Sequence, residues 1–372
     1  MRPDVKLLLP EVLYAVEGVE FNIYFANIVT VININNYAFE VEFPYGRCDA
    51  KRFRWTPEAD QCGEHPIILT VWDDYGIAAQ AERRIIVSPA DAGKDTTLTI
   101  LQIGASCMSA AGHGEALHKR FQKPGNPCFT MLGSHAPGYK PVEKGGPANE
   151  AYGGWTWRTF FEKTKSNHLS NDGLHPARPY DVPSPFLFQQ DGEFKFDFAR
   201  YLETVCGGVK PDVIEFELGV NGIFGVRTDE EFEERWKESV YPFMKRMMEE
   251  CRRVLPDVIL GVELIPRGAA SQDAFGKSYK CTQSRRRWMC NADLLFRKYI
   301  ACSSEMDYYI IPGYHNFDTE QNYPVLEDFI HAETLQKTVR QNNALHPSVA
   351  GYEQWADNEY AFFKYIVSRK GK

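Results

Sequence analysis

The sequence has no CxxC pair, no long basic run and no stretch of eighteen or more apolar residues. Each absence removes a class of function. Without CxxC, a zinc ribbon or a thioredoxin-type redox motif is not supported. Without a basic run or an RNA-binding signature, and with a formal net charge of -8, nucleic acid is not an expected partner. Without a long apolar stretch, nothing is expected to span a membrane. Internal repeats and low-complexity tracts are also missing. The start, Met1 to Lys6, does not read as a signal peptide, because the apolar part that follows is short and broken by Pro10 and Glu11. The expected localisation is export in a form without its leader, with cytoplasmic residence as the alternative. The nine cysteines are odd in number, so at least one thiol has no intrachain partner. The spacings Cys48–Cys62 and Cys281–Cys290 leave disulfides open without deciding them.

What is present divides in two. Hydrophobic residues make up 44% of the 372 positions, enough for a substantial core and long enough for two domains or one large one. Residues 1–92 read as an all-β, Ig-like sandwich. Phe21, Ile23 and Phe25 alternate, as do Tyr37, Phe39, Val41 and Phe43, with Asn35-Asn36 as the turn between the two runs. Ile67–Trp72 and Ile77–Val87 form a hairpin around Asp73-Asp-Tyr-Gly76. From residue 93 the pattern becomes strand–helix alternation, the mark of a mostly parallel sheet covered by helices. The expected strands are Leu98–Ile103, Cys128–Leu132, Val213–Leu218, Val258–Leu264 and Tyr308–Ile311. A helix is expected from Thr228 to Val254, opened by a Thr228/Glu231 capping box and kinked at Pro242. The last helix is expected from Pro347 or Ser348. Between the second and third strands, residues 134–210 are rich in Gly, Pro and aromatics, and loops this long are usually functional.

Four short motifs stand in order within residues 93–372. Ile103-Gly-Ala-Ser106 closes the first strand and exposes a hydroxyl at a small-residue turn. Tyr152-Gly-Gly-Trp-Thr156 lies in the long section. Leu218-Gly-Val-Asn221 follows the third strand. Asn343-Ala-Leu-His-Pro-Ser348 opens the last helix, with Gly351-Tyr352 behind it. A serine nucleophile needs a base, and His346 is the candidate. A tetrahedral oxyanion needs fixed donors, and the N–H of Ser106, the N–H of Gly154 and the amide of Asn221 could supply them. Cys107, next to the serine, reads as a small packed residue behind the turn.

These motifs, in this order, resemble the SGNH (GDSL-type) serine hydrolase family over residues of about 95 to 372. The resemblance implies a flavodoxin-like three-layer α/β/α fold. It implies esterase or acylhydrolase chemistry with no metal and no organic cofactor. Carried over by position, Ser106 is the nucleophile, His346 the base, and Ser106, Gly154 and Asn221 the oxyanion hole. With an N-terminal β-sandwich in front, the chain looks like bacterial carbohydrate esterases. The implied substrate is an acylated carbohydrate or another small ester, the acyl group being O-acetyl. The alternatives are a lipid or thioester acylhydrolase, or a glycan-binding protein built on a degenerate hydrolase domain. Three positions depart from the family pattern. Ala105 stands where the family has the Asp of Gly-Asp-Ser, Gly222 where an Asp follows Asn221, and Asn343 where the triad acid lies. An asparagine carbonyl can orient an imidazole but adds no charge. Asp318 and Glu217 are candidate replacements for the acid.

Trp155 and Trp157 have two readings, core or a sugar-stacking platform beside the oxyanion donors. His113, Glu115 and His118 read as surface residues, since i and i+5 do not share a helix face. Gln283-Ser-Arg-Arg-Arg-Trp288 reads as a solvated charged face, with an acidic substrate as the other reading. Glu215 and Glu217 share one face of a strand otherwise expected to be buried.

Overall fold

A computed structural model describes residues 4–165 and 181–370. The section 166–180 of the long loop lies outside the described residues. The N-terminal part alternates apolar and polar residues and accordingly pairs into strands. These are β1 (Val12–Val16), β2 (Phe21–Tyr24), then the short helix α1 (Phe25–Ile28), β3 (Ala38–Glu42), β4 (Arg47–Cys48), β5 (Arg52–Trp55), β6 (Gly63–Asp73) and β7 (Gly76–Ser88). They form a four-stranded sheet in the order β1-β7-β6-β3 and a three-stranded sheet in the order β2-β5-β4. The expected hairpin is β6–β7. The expected strand through Phe25 instead ends at Tyr24 and turns into α1, and Asn35-Asn36 belongs to a 3-10 turn, Ile34–Asn36, capped by the Asn33 side chain. Leu13, Ile67, Leu69 and Ile85 of one sheet share a core with Ile23, Phe53 and Trp55 of the other.

The remaining elements alternate. They are β8 (Thr97–Gly104), α2 (Ala111–Phe121), β9 (Cys128–Leu132), β10 (Glu150–Ala151), α3 (Thr159–Glu162), the hairpin β11 (Leu187–Gln190) and β12 (Glu193–Phe196), and α4 (Phe198–Thr204). Then come β13 (Val213–Glu217), α5 (Val220–Ile223), α6 (Asp229–Arg235), α7 (Tyr241–Val254), β14 (Ile259–Glu263), α8 (Gln272–Tyr279) and α9 (Arg285–Cys302). The chain ends with β15 (Tyr309–Ile311), an exposed hairpin of β16 (Val325–Phe329) and β17 (Lys337–Gln341), and α10 (Val349–Arg369). Every expected strand of this region is present within one or two residues.

Strands β9, β8, β13, β14 and β15 lie side by side and all run parallel, with β10 extending the β9 edge of β8. Counted along the chain, that is the order second, first, third, fourth, fifth, the doubly wound order of flavodoxin-like sheets. Period-2 alternation sends residues to opposite faces. Ile100 and Val213 pack with Leu117 and Phe121 of α2 and Phe362 of α10. Leu101, Ile103, Ile214, Phe216 and Val262 pack with Met244 and Met247 of α7 and Leu295 and Tyr299 of α9. Three layers result.

The expected kink at Pro242 is a π-helical turn, Trp236–Val240, that separates α6 from α7 and leaves Pro242 in the first turn of α7. There the missing N–H costs nothing. The Thr228 hydroxyl accepts from Glu231 N–H at 3.2 Å, but the Glu231 carboxylate turns to Arg227 N–H at 2.8 Å, so only half of the capping box forms. The arginine-rich stretch starts α9, capped by Ser284, and Arg287 pairs with Asp229 at 2.9 Å.

The N-terminal sheets are fastened to this layer structure by buried polar contacts. Asn27 Nδ2 donates to the carbonyls of Tyr314 and Phe317, both at 2.7 Å. Arg267, fully buried, donates to the carbonyls of Asn27 and Val29. Tyr14 of β1 packs on Phe362 and Tyr365 of α10. All nine cysteines are free thiols, so neither spacing is a disulfide.

Candidate active site

In a doubly wound sheet, ligands bind outside the carboxyl ends of the strands where the winding reverses. Here that point lies between β8 and β13. Ser106 leaves β8 and Asn221 leaves β13.

The Ser106 turn is held from beneath. Glu217, the last residue of β13, lies opposite Gly104 in the sheet. Its Oε2 accepts from the N–H of Ala105 at 3.0 Å and of Met108 at 3.3 Å. Ser109 N–H donates to Ala105 O at 3.0 Å and closes the turn. A Cβ at Gly104 would lie 2.9 Å from Met108 Cβ, so the turn needs glycine there. Burial raises the Glu217 carboxyl to about 7, against the two N–H donors and His113, which lower it. Ser106 itself is partly exposed, its hydroxyl faces the neighbouring Cys107 thiol, and among the described residues its N–H donates no backbone hydrogen bond. Cys107 is buried and burial pushes its thiol far up, which makes it inert.

The Gly154 loop is anchored on both sides. Tyr152 N–H donates to Gly104 O at 3.1 Å. Tyr139 Oη accepts from Gly153 N–H at 2.8 Å and donates to Ser109 Oγ at 3.0 Å. Buried Glu150 collects Ser134 N–H, Ser134 Oγ, Tyr152 Oη and Tyr201 Oη, all within 2.9 Å. Trp155 N–H is used by Tyr152 O. Gly154 lies at φ +80°, where side chains are strained, and its N–H has no partner among the described residues. Asn221 Nδ2 donates to Trp155 O at 2.9 Å, and its second hydrogen remains for a ligand.

His346 reaches the same place from the other end of the chain. Cys107 Sγ donates to Leu345 O at 3.6 Å, which sets the His346 turn against the Ser106 turn. Ser348 caps α10 through Gly351 N–H at 3.2 Å and fixes where the turn ends. Burial alone lowers the His346 ring below its ordinary value. Asn343 Oδ1 accepts from the N–H of Leu345 at 3.1 Å and of His346 at 2.9 Å. Asn343 therefore acts on the backbone of the turn. Asp318 Oδ1 caps the N–H of Glu320 and Gln321. Among the described residues, the His346 ring makes no hydrogen bond to a carboxylate.

Two expectations are corrected. Trp155 and Trp157 are core residues, 3% and 0% exposed, with no ring face left for a sugar. Trp155 stacks on Tyr152 at 4.2 Å, and Trp157 donates through Nε1 to Tyr299 Oη at 2.9 Å. His113 is fully buried against Glu359 rather than on the surface. Helix α2 turns it inward because α10 covers that face. The supporting residues Glu150, Tyr139 and Tyr299 carry no local motif. For Glu217 the available signal was a carboxylate on an otherwise apolar, buried strand.

Hydrogen bonds from Tyr152 to Gly104, Asn221 to Trp155 and Cys107 to Leu345 join all four motif loops at the switch point of the sheet. The chain resembles the SGNH-type hydrolases. No family model matches it, and no curated protein does. Similar solved structures include the family 3 carbohydrate esterase of Clostridium thermocellum, at 14% identity and TM-score 0.39, covering 74% of this chain and 100% of that one. Others are a possible lipase from Chitinophaga pinensis (12%, TM-score 0.41, 73% and 99%) and Est24, a carbohydrate acetylesterase from Sinorhizobium meliloti (10%, TM-score 0.39, 72% and 99%).

Proposed function

We propose that this chain is a serine esterase that removes small acyl groups, O-acetyl in particular, from a carbohydrate. One observation carries the reading. A half-buried serine is flanked by two N–H groups, its own and that of Gly154, that have no backbone partner among the described residues. Backbone donors left open in a fixed loop are what a developing oxyanion requires.

In this reading a His346 ring nitrogen takes the Ser106 proton as Oγ attacks the ester carbonyl carbon. The C–O π bond opens, and the oxyanion is held by Ser106 N–H, Gly154 N–H and the free Asn221 N–H. His346 then protonates the departing sugar oxygen as its bond to carbon breaks, leaving acyl-Ser106. Water attacks the acyl carbon and gives a proton to His346, and the acyl–Oγ bond then breaks as His346 returns that proton to Ser106 Oγ, releasing the carboxylic acid and the free serine. Asn343 keeps His346 in place through the backbone, and a Ser-His dyad does the proton transfers. The N-terminal sheets form an accessory β-sandwich.

The engagement of Asn343 by backbone favours one second reading, a glycan-binding protein with slow turnover. Hydrolysis of nitrophenyl acetate and of an acetylated oligosaccharide by wild type and Ser106→Ala tests both. Ser106-dependent acetate release supports the esterase. Glycan binding without turnover supports the binding protein, and full activity in Ser106→Ala overturns the site.

A further inference from the structure

The sheet face covered by α2 and α10 has a polar centre. Gln102 of β8, Glu215 of β13, Glu263 of β14, Glu359 of α10 and His113 of α2 meet there, each at most 2% exposed. Some of their valences are met. Gln102 Nε2 donates to Glu215 Oε2 at 2.7 Å and, more weakly, to Glu359 Oε1 at 3.4 Å. Trp355 Nε1 donates to Glu263 Oε1. A Cβ at position 313 would lie 2.6 Å from Glu263 Oε1, so Gly313 leaves the carboxylate its place.

Other valences are not met. Among the described residues, both ring nitrogens of His113 lack a hydrogen-bond partner, and Glu215 Oε1, Glu263 Oε2 and Glu359 Oε2 have no donor other than a proton shared among the three carboxyls. His113 Nε2 stands 3.0 Å from Glu359 Oε1 but without hydrogen-bond alignment. No lysine or arginine among the described residues is within ion-pair distance of the three carboxylates. Buried polar atoms are normally paired, and each orphan forfeits its solvation for nothing in return. One donor atom from each of His113, Glu263 and Glu359 lies within 4.8 Å of the others. Three residues with unmet valences whose donor atoms converge in this way suit a shared cation.

We propose that His113, Glu263 and Glu359 bind a divalent transition-metal cation of the zinc or manganese class, with Glu215 at its edge. An imidazole with carboxylates is a donor set for such ions, and two carboxylates balance the charge. The ion would tie α2 and α10 to β14, a structural role with no step in ester hydrolysis. The rival account is protons shared among the three carboxyls.

The test uses the full chain and metal analysis by plasma mass spectrometry. Protein purified natively and dialysed against EDTA should retain about one equivalent of metal, lost on unfolding. Refolding with zinc or manganese chloride should raise Tm by at least about 5 °C over refolding in EDTA. Glu359→Gln should cut the metal content several-fold. Less than about one-tenth of an equivalent, together with identical Tm values after refolding with zinc, manganese or EDTA, overturns the site in favour of protons. Metal content unchanged in Glu359→Gln also overturns it. If that variant does not fold, X-ray absorption of the wild-type metal decides, with nitrogen and oxygen ligands supporting the site and sulfur ligands overturning it. Ser106→Ala should retain the metal, so this inference and the esterase reading fail separately.

Discussion

Glu217 holds Ala105. A single carboxylate oxygen at the end of β13 accepts the Ala105 N–H at 3.0 Å, and Met108 N–H at 3.3 Å shares it. The turn that presents Ser106 is therefore set by a residue 112 positions later. Glu217→Ala leaves two buried N–H groups unpaired, at about 1–3 kcal/mol each. We expect a lower Tm and a large loss of kcat. Glu217→Gln, whose amide oxygen can accept both donors, should keep the fold and most of the activity. Thermal melts and nitrophenyl acetate kinetics on the two variants check this, and equal damage in both would remove the acceptor role.

Ser106→Ala should lower kcat by roughly 10⁴-fold or more, the scale for removing a serine nucleophile. Its Tm should stay close to wild type, because the hydroxyl is half exposed and meets only the weakly polar Cys107 thiol. Circular dichroism melts alongside the kinetics separate lost chemistry from lost folding.

The His346 ring must be neutral to take a proton, and burial lowers its pKa below the ordinary 6.5. The acid limb of kcat/KM should therefore fall below pH 6.5, with a plateau at neutral pH. The same shift means the ring disfavours its charged form when folded. Its contribution to stability is present above pH 6.5 and is lost as pH falls through the folded value. Asn343→Asp keeps the cap on the Leu345 and His346 N–H groups and adds a negative charge near the ring. The acid limb should move to higher pH, with Tm unchanged. An acid limb that stays in place would separate Asn343 from the base.

Gly154 and Gly219 both have positive φ, +80° and +108°, but differ in what surrounds them. Around Gly154 nothing lies within 4 Å of an added Cβ. Gly154→Ala should cost only about 1–2 kcal/mol of backbone strain while lowering kcat more than it raises KM, since a donor to the oxyanion moves. At Gly219 an added Cβ would run into the Tyr299 hydroxyl, which accepts from Trp157 and donates to Leu218 O at 2.9 Å. Gly219→Ala should lower Tm sharply and activity with it. Urea melts and steady-state kinetics on the pair distinguish a catalytic glycine from a packing glycine.

Much of the architecture could be read from the chain. The apolar run at Leu98, the alternation at Phe39 and Val41, and the capped final helix each express a local period. Pro242 marked an irregularity, though the chain absorbs it as a π-turn because proline is harmless in a first helical turn. The four motifs were legible because small residues at strand ends leave local signatures.

By itself, then, the sequence determined the two-part organisation into β-strands and alternating strands and helices, and the chain order of Ser106, Gly154, Asn221 and His346. Tertiary structure alone decided which side chains hold those four in place. Glu217 supports the Ser106 turn, Tyr139 and Glu150 support the Gly154 loop, and Asn343 spends its oxygen on the backbone of the His346 turn. It also decided that Trp155 and Trp157 face the core and that His113 joins three glutamates in the interior. The physical reason is range. Periodicity reflects contacts a few residues apart, whereas these pairings join positions far apart in the chain through packing, and a single side chain carries no mark of its distant partner.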